Sequence, residues 1–163
     1  MNRQIQDPQN IPNKNDAPRV AFIAAQWHAD IVEKCREGFA GEFARLGYGA
    51  DSTDFYKVPG SYDIPLLAKK LAGSGKYEAV VAAGFIVDGG IYRHEFVSHA
   101  VIDGLMRVQL ETDVPVISAV LTPHRFQEEE TQIRFFTEHF LIKGQEAARA
   151  CAEIIANLRS LAA

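Results

Sequence analysis

At 163 residues, with 47% hydrophobic and 23% charged side chains, the chain has the size and composition of one globular domain with a real core, which excludes wholesale disorder. A formal charge of -4 and the lack of any basic stripe exclude a nucleic-acid binder. The longest apolar runs fall far short of the ~20 residues that a bilayer span needs.

The first stretch, MNRQIQDPQNIPNKNDAP, has no apolar segment of the secretory kind and is rich in Pro, Asn and Gln. It predicts a flexible polar tail over 1–18, followed by a single domain over 19–163. RVAFIAA (19–25) is a short apolar run of strand formers, suited to a buried parallel strand. From 29 to 46 the period changes: Val32, Cys35, Phe39 and Phe43 recur at helical spacing, and Gly47 supplies a stop. DSTDFYKV (51–58) reads as a second strand, broken at Pro59-Gly60, and DIPLLAKKLAGSG as a short helix closing on glycines. YEAVVAAGFIV (77–87) is the strongest strand. A helix is predicted over 92–112, with Val97, Val101, Leu105 and Val108 on one face, and a fourth strand over 114–121. Two helical segments are expected at the end, 128–139 and 145–161, the second with Ala148, Cys151, Ile155 and Leu158 on one face.

Strands alternating with helices predict parallel βαβ units, hence an α/β protein: a three-layer α/β/α sandwich on a four-stranded parallel sheet, flavodoxin-like. The two cysteines, Cys35 and Cys151, fall on apolar helix faces, as buried thiols in a reduced compartment would. A cytoplasmic location is therefore expected.

Ligands of such sheets bind beyond the carboxyl ends of the strands. The segments to examine are AAQWHAD, YKVPGSYDIP, GFIVDGGIYRH and AVLTPHRF, all rich in aromatic or ionisable residues. Several familiar chemistries fail there. GSGKY resembles the end of a phosphate-binding loop, but Lys70 stands where the motif needs glycine, and a helix precedes it. His94 and His99, five apart on a helix, point about 140° away from each other and do not share a metal as i,i+4 ligands would. No Cys/His cluster and no G-x-S-x-G elbow occurs, so neither a metal site nor a serine hydrolase is expected.

What is left has no obvious nucleophile. Trp27 is either a core or rim residue, or a flat face for stacking a heterocycle. Ser61 and Asp63 are either turn and capping residues, or a hydroxyl and a carboxylate for a polyol. Gly89 and Gly90 either turn the chain, or leave backbone N–H groups bare at a helix start, where with Arg93 they suit a phosphate. Arg93 and His94 are candidates for proton transfer.

Those features, in that order, resemble the lumazine synthase family of riboflavin biosynthesis. The segments AFIAAQWHADI, VPGSYDIP, GFIVDGGIYRHEFV, VPVISAVLT and KGQEAA carry the resemblance over almost the whole chain after Pro18. The family joins 5-amino-6-(D-ribitylamino)uracil to 3,4-dihydroxy-2-butanone 4-phosphate, giving 6,7-dimethyl-8-ribityllumazine, phosphate and water, without a cofactor. The resemblance implies that Trp27 stacks on the pyrimidine and that Ser61, Tyr62 and Asp63 line the ribityl chain. It puts Phe85, Ile86 and Val87 where backbone groups meet the uracil edge, and Gly90 and Ile91 where N–H groups hold the phosphate. Ser118 falls at a position that touches the heterocycle from a neighbouring subunit. Arg93 takes the place of the family's usual histidine, so either His94 stands in for it or Arg93 holds phosphate. The family's phosphate-binding arginine maps between 132 and 135, where Arg134 is the one arginine, and His139 is a further candidate for the phosphate end. GGIYRHEF with LTPHRF resembles a divergent subtype found as a decamer. A homo-oligomer of pentamers or paired pentamers, with sites between subunits, is implied. The competing expectations are a lumazine or flavin binder with little turnover, and a generic flavodoxin-like signalling domain, for which Asp30 alone offers an acidic group after the first strand.

Overall fold

The computed structural model describes residues 16–162, so most of the expected tail lies outside the described residues. Four strands and four helices alternate: β1 (Val20–Ala25), α1 (Ala29–Arg45), β2 (Thr53–Val58), α2 (Ile64–Ala72), β3 (Ala79–Phe85), α3 (His94–Thr112), β4 (Val116–Leu121) and α4 (Glu130–Ala162). The sheet is parallel throughout, in the order β2-β1-β3-β4. The four-stranded parallel α/β sandwich expected from the sequence is present.

The pleat divides the core in two. In β1, Val20, Phe22 and Ala24 face a cluster that contains Val32, Cys35, Phe39 and Phe43 of α1 with Phe140, Cys151 and Ile155 of α4. Their neighbours Ala21, Ile23 and Ala25 face Ile64 and Ala68 of α2 with Val101, Leu105 and Val108 of α3. A strand buried on both faces has no polar side to alternate with, which is why RVAFIAA reads as a continuous apolar run. Of the expected helix-face residues, Val97 is half-buried, and Leu158 is 39% exposed and lies outside the core.

One expectation fails. The two closing helices are a single 33-residue helix, α4. Gly144, in the stretch left between the two expected helices, lies inside it and buried. A Cβ on Gly144 would overlap the Cys35 carbonyl, and one on Gly38 of α1 would overlap the Leu141 carbonyl. The two helices thus cross backbone against backbone. Packing offsets the ~1 kcal/mol that a mid-helix glycine costs. The helix also starts at Glu130 rather than 128, and α3 at His94 rather than 92, differences of the size that helix ends ordinarily show.

Candidate active site

All four strands end at the same edge of the sheet, and the loops that leave them enclose a cleft of about 950 Å³. From β1 come Trp27 and His28; from β2, Pro59 to Asp63; from β3, Ile86 to Gly89; and from the loop after β4, Phe126 and Glu128. The chain reverses its direction of winding between β1 and β3, which is where a doubly wound sheet opens.

Local chemistry shapes each wall. After β2, Pro59-Gly60 stops the strand, and Asp63 Oδ2 accepts the Gly60 N–H at 2.9 Å, closing a short 3-10 turn over Ser61–Asp63. Ser61 is buried on the cleft floor because Gly84 of β3 has no side chain: a Cβ there would lie 2.5 Å from Ser61 Oγ. Tyr62 and Trp27 stand at the rim, Trp27 with 65% of its surface exposed. Trp27 is therefore not a core residue, and its indole is free to stack. Phe85 and Ile86 are buried behind the rim, with Val87 half-buried beside them.

The glycine corner after β3 is a turn that needs glycine at one position. Gly90 has φ +74°, in the left-handed region, and its N–H is 3.3 Å from Asp88 Oδ1. Gly90 and Ile91 lie outside the cleft wall, Ile91 being 86% exposed. Arg93 turns away as well: its guanidinium meets Glu95 at 2.9 Å and lies over the Phe96 ring at 4.3 Å. His94 enters the cleft instead, with Nδ1 3.5 Å from Glu95 Oε2. The Glu95 carboxyl is held below the usual range, first by its own backbone N–H and then by Arg93.

Besides Gly90, Ile91 and Arg93, three more expected residues are not brought to the cleft of the single chain. Ser118 is exposed on β4, Arg134 is exposed on α4, and His139 is stacked on Phe135 with the rings 5.6 Å apart. Five cleft residues carried no role in the sequence reading: His28, Asp88, Tyr92, Phe126 and Glu128. All but Glu128 had a usable signal, since they sit in the strand-end segments AAQWHAD, GFIVDGGIYRH and AVLTPHRF. Among the described residues the cleft has three carboxylates, Asp63, Asp88 and Glu128, and no Lys or Arg in its lining. Among the described residues, too, no group of three or more His, Cys, Asp or Glu is placed to hold a metal, and no helix is long and apolar enough to cross a membrane.

The family model described as 6,7-dimethyl-8-ribityllumazine synthase matches residues 17–159. The chain belongs to that family. It is similar to the 6,7-dimethyl-8-ribityllumazine synthase of Rhodococcus erythropolis, 56% identical over 88% of this chain and 92% of the relative. It is also similar to two proteins named 6,7-dimethyl-8-ribityllumazine synthase 2. That of Pseudomonas syringae pv. tomato is 53% identical over 88% of this chain and 84% of its own length. That of Bradyrhizobium diazoefficiens is 52% identical over 88% and 86%. Lumazine synthase chemistry is thus the activity to test against the cleft.

Proposed function

We propose that the protein condenses 5-amino-6-(D-ribitylamino)uracil with 3,4-dihydroxy-2-butanone 4-phosphate to form 6,7-dimethyl-8-ribityllumazine. The observation that carries the reading is one cleft that joins an exposed indole, a hydroxyl-and-carboxylate turn and a histidine at a glycine corner. Trp27 stacks on the pyrimidine, while Ser61, Tyr62 and Asp63 meet the ribityl hydroxyls. Backbone groups of Phe85, Ile86 and Val87 meet the uracil edge. Gly90 and Ile91, just outside the single-chain cleft wall, would offer N–H groups to the phosphate, that of Gly90 leaving Asp88 Oδ1 to do so.

The chemistry asks little of side chains. The 5-amino nitrogen attacks the ketone carbon, and water leaves as the imine forms. Tautomerisation and loss of phosphate follow, and the ribitylamino nitrogen closes the ring with loss of a second water. No covalent enzyme intermediate is required, so holding both substrates in register contributes much of the acceleration. His94 is the proton carrier in this reading, because it is the side chain of the 93–94 pair that faces the cleft. Arg93 fixes the start of α3 through Glu95 and Phe96.

Charge argues that a second copy completes the site. A phosphate dianion among three carboxylates needs a cation that the single-chain cleft lacks. Arg134 and His139 supply it in this reading, and Ser118 approaches the heterocycle, each from a neighbouring subunit. Phe96, Ile102, Met106 and Leu110 leave an exposed apolar face along α3 that such an assembly would cover. Pentamers or paired pentamers in the cytoplasm fit this reading. The test mixes protein with both substrates and follows lumazine fluorescence against the uncatalysed background, alongside sedimentation. A rate well above background in a pentamer or decamer is expected. Tight ligand binding with no acceleration would make the protein a binder, and an active stable monomer would overturn the shared site.

A further inference from the structure

Among the described residues, His28 and Asp113 alone combine a side chain with a positive φ. Asp113 ends α3, where a left-handed residue is an ordinary cap. His28 begins α1 with φ 53° and ψ 47°, although the residue before a helix is normally extended, and its side chain makes no capping hydrogen bond. Helix initiation therefore does not explain the conformation. Two neighbours do: the imidazole lies edge-on between Phe85, at 5.6 Å, and Phe126, at 5.4 Å. Phe126 in turn packs on Phe85 and Phe136, so the ring is wedged between the end of β3 and the loop after β4. The left-handed residue turns the chain sharply after β1. Trp27, next to it, stands exposed at the cleft rim, its Nε1 4.0 Å from where a Gly60 Cβ would be.

We propose that His28 is a positioning residue, whose left-handed backbone, locked by Phe85 and Phe126, holds Trp27 over the cleft ready to stack. Glycine or asparagine would tolerate the backbone but offer no ring to the wedge. Alanine would accept neither demand. Histidine meets both, and so fixes the indole before any ligand arrives, sparing the cost of ordering it on binding. The assignment of Trp27 as the stacking residue rests on the function proposed above; the wedge and its effect on the indole do not.

Trp27 is the one tryptophan of the chain, so its time-resolved anisotropy reads the indole directly in the assembled, ligand-free protein. His28→Asn and His28→Gly keep the backbone and delete the wedge. In both, fast local motion of Trp27 should increase while the far-UV circular dichroism stays unchanged. The KM for the ribitylaminouracil should rise about ten-fold, the equivalent of losing one aromatic stacking contact, with kcat changed less than about two-fold. In a Trp27→Ala background, His28→Asn should raise KM no further. Unchanged Trp27 motion, or additive effects in the double variant, would overturn the proposal, as would loss of folding in both variants, which would make His28 a folding requirement of α1. Wild-type protein that shows rigid Trp27 but no turnover and no quenching by the uracil substrate would instead overturn the proposed function.

Discussion

Positions 93 and 94 show how one residue's shift redistributes roles. Arg93 is engaged by Glu95 and Phe96, while His94 lines the cleft. His94→Gln should lower kcat by about 10²-fold, the lower end of what a positioned proton carrier contributes, whereas Arg93→Ala should cost clearly less. Steady-state lumazine formation separates them, and equal losses would refute the assignment. Gly84 is as telling. Gly84→Ala would push Ser61 off the floor, destabilising the fold by about 1–3 kcal/mol and raising the KM for the ribityl substrate. Thermal unfolding and KM together check this. At this scale the sequence pointed to residues that the structure places in the cleft: Trp27, Ser61, Asp63 and His94 follow apolar runs whose ends can be read. Glu128 lies beyond the strand-end segments, in a loop with no periodicity. The roles proposed for Ser118, Arg134 and His139 would need a second copy, which spacing along one chain does not encode.

Between elements, the crossing of α1 and α4 fixes one side of the sandwich. Gly38 and Gly144 bring the two backbones together, so a methyl group at either place meets a carbonyl rather than a side chain that can swing aside. Gly144→Ala should therefore destabilise by about 3 kcal/mol or more, despite alanine's higher helix propensity. Denaturant midpoints check the sign: a stabilised variant would show that the crossing has slack. The same glycine lies in the stretch left between the two helices expected where α4 runs unbroken. Glycine is a terminator by local propensity, and only the neighbouring helix reveals that it is needed for close approach. The strands were legible for the opposite reason, since burial on both faces writes itself as an uninterrupted apolar run.

For the whole molecule, alternation of strand and helix patterns was enough to give the layers, but not the ion pairs that tie them. Glu42 of α1 is buried and accepts hydrogen bonds from Arg45, at 2.7 and 2.9 Å, and from Arg149 of α4, at 3.0 Å. Arg45 chiefly, with Arg149, lowers its pKa from 4.5 to about 2 against the opposing effect of burial. Between those values the unfolded chain binds a proton that the folded one does not. The stability this group contributes is therefore complete above about 4.5 and lost as pH falls towards about 2. Asp54, held low by Lys76, Tyr77 and Arg19 at the opposite end of the sheet from the cleft, adds to the same acid limb. Glu42→Gln should be less stable at neutral pH and show a shallower acid limb, converging with the parent near pH 2. Urea titrations across that range test it, and an unchanged slope would refute it.

The layer between α1 and α4 also contains the means of timing its own opening. Cys35 and Cys151 have no exposed surface, and burial pushes both thiols up to about 12. An alkylating reagent at neutral pH thus has nothing to attack until that layer parts. Each modified chain then records one opening event, and the labelling rate becomes a clock for breathing of this half of the core, readable by mass in the fully assembled protein.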